Sequence, residues 1–269
     1  MTVEPSPWYL PVEPPDALRG VLACSWTAVP DGEHRLTPDG CSDLLRIDNG
    51  LFVLCGPERA SWTFSLPPGT TAVGVRFRPG ALPAVFDLDV SAIADQRVPV
   101  ADLIGADAAR TIGDAIAAAP SLDAQRQVLL DHVAELARGA ALAPETEAIL
   151  DVLAASPRAT QQQLATMTGM SVRSLRRHAL RHFGYGTATL ARILRFQRFL
   201  AVVSLATGER SLAVFAARAG YVDQAHLARD CRAITSLSTT EFLAEYFPTF
   251  PDMADPYKTP SASWATLAS

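Results

Sequence analysis

Apolar and polar positions alternate in short runs over the first third of the chain and return at helical spacing over the rest. Between about residues 20 and 80, the runs DLLRI, LFVLCG, WTFSL and TAVGVRF lean towards strand, and PDG, DNG, GPE and PPG turns separate them. This predicts an antiparallel sheet or a small barrel. From about 100 to 138, DAARTIGDAIAAA and SLDAQRQVLLDHVAELARG have helical composition, with a break at Pro120-Ser121 and a stop at Gly139.

From Pro144 onward the punctuation is more regular. A helix over Glu145 to Ala155 ends before Pro157. Thr160 then caps QQQLATMT, Gly169 turns the chain, Ser171 caps VRSLRRHALRHF, and Gly184 with Gly186 ends it. A long helix over Thr187 to Thr207 follows, with Leu190, Ile193, Leu194, Phe196, Leu200, Val203 and Ser204 along one face. After Gly208 the plan repeats: Ser211 caps LAVFAARA, Gly220-Tyr221 turns, Asp223 starts QAHLARDCRAI, and a last helix lies near Thr239 to Tyr246. Residues 161–183 and 212–234 therefore read as two copies of helix, glycine turn, helix.

The expected fold class is α+β. An N-terminal antiparallel β-rich, barrel-like domain with flanking helices (1–100) leads into a helical linker (101–143), whose amphipathic stretch 107–137 either packs within the monomer or pairs with a second copy in a homodimer. A C-terminal all-α domain of about seven helices with two helix-turn-helix units (144–247) follows, and a tail (248–269) reads as a poorly ordered or surface-docked end.

Charge sharpens this division. The net charge is −5, yet no Asp or Glu occurs between Asp151 and Glu209 while eight arginines do, so that block carries +8. Residues 1–151 carry −11 and the last 61 residues −2. The mostly apolar segment LARILRFQRFLAVVSLA contains arginine and is shorter than a bilayer span of about 20 residues. The beginning of the chain has no basic region followed by an apolar run. Four scattered cysteines with no C-x-x-C pair make no disulfide framework. A cytoplasmic protein with reduced thiols, away from the membrane, is expected.

In a helix-turn-helix the second helix enters the major groove and offers its N-terminal residues to base edges. In the first copy, Leu164, Ala165, Leu175, Ala179 and Leu180 fit a packed side, which leaves Arg173, Arg176, Arg177 and Arg181 outward. Like charges one turn apart repel, and a polyanion relieves the repulsion. Arginine grips guanine O6 and N7 or a phosphate. The bland alternative is a solvated basic face in a chain with 22 Arg and one Lys. In the second copy Gln224, His226 and Arg229 project with no surplus of positive charge, and His226 reads equally as a half-buried polar residue.

These residues carry a resemblance. LA at 164–165, GMSVRSLRR at 169–177, Gly184, ARILRFQRFLAVV at 191–203, SLAVFA at 211–216, GYVDQAHLAR at 220–229 and FL at 242–243 together resemble the DNA-binding domain of the AraC/XylS family of transcriptional regulators. The resemblance implies seven helices, two helix-turn-helix units joined by a linker helix, and DNA contacts on Arg173, Arg176 and Arg177 and on Gln224, His226 and Arg229. Arg181 falls to a phosphate contact or plain surface. The chain departs from the family at Ala179 and Cys231, where an aromatic is usual, and at Ser236-Leu237-Ser238-Thr239, where the family has G-x-x-P. The implied partners are double-stranded DNA, a small-molecule effector and, for an activator, RNA polymerase. No cofactor is implied.

PDGCSDLL at 38–45, LCGP at 54–57 and GVRFRPG at 74–80 resemble the small cupin-like N-terminal domains of some AraC-like regulators, which implies ligand sensing. His34, Cys41 and Cys55 are candidate metal ligands if a barrel brings them together, against the plainer reading of cysteines as buried small apolar residues. Arg76 and Arg78 share a strand face that suits an anion or plain solvation. Trp26, Trp62, Phe64 and Phe77 line a pocket or form the core. The sequence reading is a non-enzymatic regulator. A metal- or cysteine-dependent enzyme in the N-terminal barrel, or a protein-interaction regulator, is the alternative, although no H-x-H, H-E-x-x-H, G-x-S-x-G or P-loop pattern occurs.

Overall fold

The computed structural model describes residues 8–30, 32–206 and 211–247. The segment AVGVRF, strand β7 (Ala72–Phe77), sets the order of the N-terminal domain. Val73, Val75 and Phe77 are buried in the main apolar core, while Ala72, Gly74 and Arg76 occupy the opposite face. Antiparallel neighbours flank β7 on both sides, β2 (Leu22–Ala28) and β4 (Ser42–Ile47). Adding β1 (Tyr9–Val12), β5 (Phe52–Cys55) and β8 (Arg97–Pro99) gives a six-stranded sheet in the order β1-β2-β7-β4-β5-β8. A separate two-stranded ribbon pairs β3 (Glu33–Leu36) with β6 (Trp62–Ser65). Among the described residues the barrel-like domain is thus a sheet with edges at β1 and β8 rather than a closed ring.

One face of the sheet is covered by helices. After the short α1 (Leu82–Phe86) come α2 (Val100–Ile104), α3 (Ala106–Ala118) and α4 (Leu122–Leu136). The stretch expected to link the domains or a second subunit packs here within the monomer: α4 lays Leu129, Leu130 and Val133 against β7 and β2. Arg126 on the same helix is buried, paired with Asp123, and donates to the Ser25 hydroxyl of β2 at 2.8 Å. A cavity of about 10 Å³ beneath these helices, lined by Phe52, Ile104 and Leu129 among others, is room for no more than about one water.

The opposite sheet face settles several sequence expectations. Arg76 is not free for an anion, because it grips Asp43 through both Nε and Nη2 at 3.1–3.2 Å and Asp39 at 3.2 Å. Arg78 donates to the carbonyls of Arg19 and Gly20. The four aromatic side chains do not share one pocket: Phe77 lies in the main core, Trp26 packs with Tyr9 on the far face, and Trp62 and Phe64 sit on the ribbon. Among the described residues no group of three or more His, Cys, Asp or Glu side chains is placed to hold a metal. His34 packs instead against Trp8 and Phe64, its ring tilted to both. Burial raises the Cys24 and Cys41 thiols and pushes Cys55 up to about 12, so the three stay protonated at neutral pH.

Among the described residues seven more helices follow: α5 (Pro144–Ala155), α6 (Gln161–Met167), α7 (Val172–Phe183), α8 (Thr187–Ser204), α9 (Leu212–Arg218), α10 (Gln224–Thr235) and α11 (Thr239–Tyr246). None of the described helices is long and apolar enough to cross a membrane. The tail at 248–269 and the turn at Gly208 lie outside the described residues. Two cores divide these helices. Leu164, Leu175, Ala179, Phe183, Leu190 and Ile193 join the core of the β-rich domain, whereas Phe196, Leu200, Phe215, Leu227, Cys231 and Phe242 form a second one.

Candidate nucleic-acid interface

Both helix-turn-helix units are built by the same local chemistry. Thr160 caps α6, where its hydroxyl accepts from the Gln163 amide and the Gln163 side chain returns the bond to the Thr160 amide. Ser211 caps α9 in the corresponding place. Nine residues after each cap stands a glycine in the left-handed region, Gly169 and Gly220, and the next residue's amide closes the turn on Ala165 or Ala216 at 2.9 Å. Ser171 then caps α7 and Asp223 caps α10. Each second helix has 12 residues.

On α7, Leu175, Ala179 and Phe183 are buried, and Arg173, Arg176 and Arg177 are exposed on the facing side. Among the described residues none of these three arginines has an ion-pair partner. Arg181 is different, since its guanidinium reaches Asp87 of the N-terminal domain at 3.5 Å. Leu180 leaves the packed side expected for it and is 37% exposed, because the stripe that meets the core runs through 175, 179 and 183.

The C-terminal half of α7 is docked. It packs on α1 and on the turn at Val90–Ala92, and Gly184 closes the helix with φ 79° against Pro57 and Ala94. Inside this joint His178 and His182 stack with ring centroids 4.0 Å apart. The Thr146 hydroxyl of α5 sits 2.9 Å from His178 Nε2 and 3.3 Å from His182 Nδ1. Burial, then the neighbouring His182, lowers His178 to about 4, and burial also lowers His182.

The second unit is tied to the first through a residue that the sequence reading left in its cationic block. Arg195 of α8 is buried and pairs with Asp230 of α10 at 2.6 Å. Its Nη1 donates to the Pro157 carbonyl at 3.0 Å, and its guanidinium lies 5.0 Å from the centre of the Tyr221 ring. Arg198 adds a bond to the Ala154 carbonyl at 2.7 Å. A carboxylate 35 positions away has no signature in a single sequence; the only hint was an arginine between buried Ile193 and Phe196.

On α10, Gln224 and Arg229 are exposed. His226 is half-buried, edge-on to Tyr221 at 5.1 Å and 3.8 Å from Asp230, which aims the ring at the scaffold. Burial lowers its pKa, and Arg195 adds to the effect. Cys231 is fully buried in the place of the usual aromatic. Where a glycine and a proline were missing, Ser236 takes the left-handed position (φ 64°) and Ser238 caps α11 with Glu241 in a reciprocal box. The substitution thus preserves the turn.

Comparison with known proteins follows the same division. Residues 11–99 match a family model described as a domain of unknown function (DUF6597), and residues 164–245 match one described as a helix-turn-helix domain. No curated protein matches the sequence. Among solved structures the chain is similar to ToxT from Vibrio cholerae. The 1.65 Å structure of ToxT is 10% identical, with 81% of this chain and 97% of that one covered and a TM-score of 0.43. The wild-type ToxT of the same organism with bound unsaturated fatty acid is 9% identical, with 82% and 95% covered and a TM-score of 0.41.

Proposed function

We propose that the chain is a DNA-binding transcription regulator of the AraC type that reads two adjacent major grooves, one with each helix-turn-helix unit, under the control of its N-terminal domain, a reading that the helix-turn-helix match over residues 164–245 supports. The observation that carries this reading is the free arginine edge of α7, Arg173, Arg176 and Arg177, opposite a buried stripe. Three unpaired cations within two turns form a surface that a phosphate backbone neutralises and a guanine edge orients. The linker α8 has 18 residues, about 27 Å at about 1.5 Å per residue, of the same order as the groove repeat of about 34 Å. Arg195 fixes the second unit against the first, so the spacing is built in rather than induced.

Effector control is supported by the joints between the domains. The first unit shares a core with the sheet, and Arg181–Asp87, Arg35–Glu245, and the bonds from Gln197 to Pro38 and from Tyr246 to Arg35 link both units to the N-terminal domain. A ligand that displaces the loops around Gly80, Val90 or Pro38 shifts the DNA-binding helices with them. In this reading the protein acts by binding rather than catalysis. The test is titration of purified protein against genomic fragments. Specific affinity that falls steeply with salt is expected, and the absence of any salt-sensitive complex rejects the reading.

A further inference from the structure

The two second helices have the same length but different reading edges. Aligning them at their caps, Ser171 with Asp223, puts the fully buried Leu175 on Leu227. In that register Arg177 matches Arg229, while Arg173 and Arg176 match Ala225 and Ala228, both exposed. Val172 matches Gln224, the first helical residue. The second turn is also one residue longer, and the added residue, Val222, stands 67% exposed just before the cap.

An exposed valine and two exposed alanines beside a glutamine make a surface of methyl groups and one amide, with Arg229, whose Nε donates to the Ala225 carbonyl at 3.3 Å, as the one arginine where α7 has three. The matching surface of α7 is cationic. In the major groove, thymine is the base that offers a methyl group, and a glutamine amide pairs bidentately with adenine N6 and N7. His226, turned back on Tyr221 and Asp230, leaves this edge to its smaller neighbours. Resting on the reading that both units enter DNA, we infer that α10 selects an A·T half-site through Val222, Ala225 and Gln224, whereas α7 selects a guanine-bearing one. The operator is then asymmetric in base composition, and its A·T half is recognised by thymine methyls rather than by charge.

The deciding measurement alters the DNA, and one protein variant serves only to assign the half-sites. The intact chain selects duplexes from a random pool, and the half-site that Ala228→Glu releases in a footprint is the one under α10. Each thymine there is then replaced by uracil, which removes only the methyl group. The expected result is an A·T-rich α10 half-site in which each contacted thymine costs about threefold to fourfold in affinity, the worth of one buried methyl. Uracil in the α7 half-site has no effect. A guanine-rich α10 half-site, or indifference to uracil with DNA binding intact, overturns this inference alone. Failure to select any duplex overturns it together with the reading beneath it.

Discussion

Arg195 and Asp230 show how much a single pair decides. Both side chains are 10% exposed and each is the other's principal counter-charge, with Arg192 a further 3.5 Å from Asp230. Removing one partner strands a buried ion, which costs about 3–5 kcal/mol. Asp230→Ala is therefore expected to lower the urea midpoint strongly and to weaken binding at the α10 half-site more than at the α7 half-site. Ser236 works in the other direction. A non-glycine residue at φ 64° is strained, so Ser236→Gly is expected to raise stability by about 0.5–1 kcal/mol in chemical denaturation. The outward arginines and every cap named in the sequence are where local chemistry put them, because caps and amphipathic stripes are decided within a few residues. Arg195, Arg76 and Arg126 were illegible for the opposite reason: their counter-charge or hydroxyl partner arrives by folding.

At the scale of the element, α7 divides into a half with exposed arginines and a docked half. Arg177→Ala is expected to cost about 1–3 kcal/mol at guanine-bearing sites if it reads a base, and a loss equal across all sequences assigns it to phosphate instead. The docked half responds to pH. His178 and His182 are favoured neutral in the fold, with Thr146 between them and Arg181, Glu145 and Asp89 as neighbouring charges. Since the folded pKa of His178 is depressed, the unfolded chain takes up the proton first as pH falls. Stability is complete above the ordinary imidazole value of 6.5 and declines towards about 4, which denaturation midpoints across that range will show. His178→Gln flattens the decline. The helix was legible from its spacing, but its two halves were not, since Arg181 differs from the other arginines only through the Asp87 that the N-terminal domain places beside it.

Among the described residues of the whole molecule, the two helix-turn-helix units belong to different apolar cores. The first helix-turn-helix unit shares its core with the sheet, and the second keeps its own. The boundary expected at Pro144 rests on local helix punctuation, and the apolar core of the first unit runs across it into the sheet. Gly80 sits at the seam with φ 79°, where an added Cβ would lie 2.5 Å from Thr146 Cγ2 and 2.9 Å from Phe183 Cε1. Gly80→Ala is expected to destabilise the first unit by about 1–3 kcal/mol and to expose the α7 joint to proteolysis. Two fixed units that read DNA side by side must leave a bipartite footprint, which purified protein on a bound genomic segment will show. The expected result is two protected patches on one face, about one helical turn or 10–10.5 base pairs apart, both lost as salt rises. A single patch unaffected by changes in α10, or no protection at any salt concentration, would contradict it.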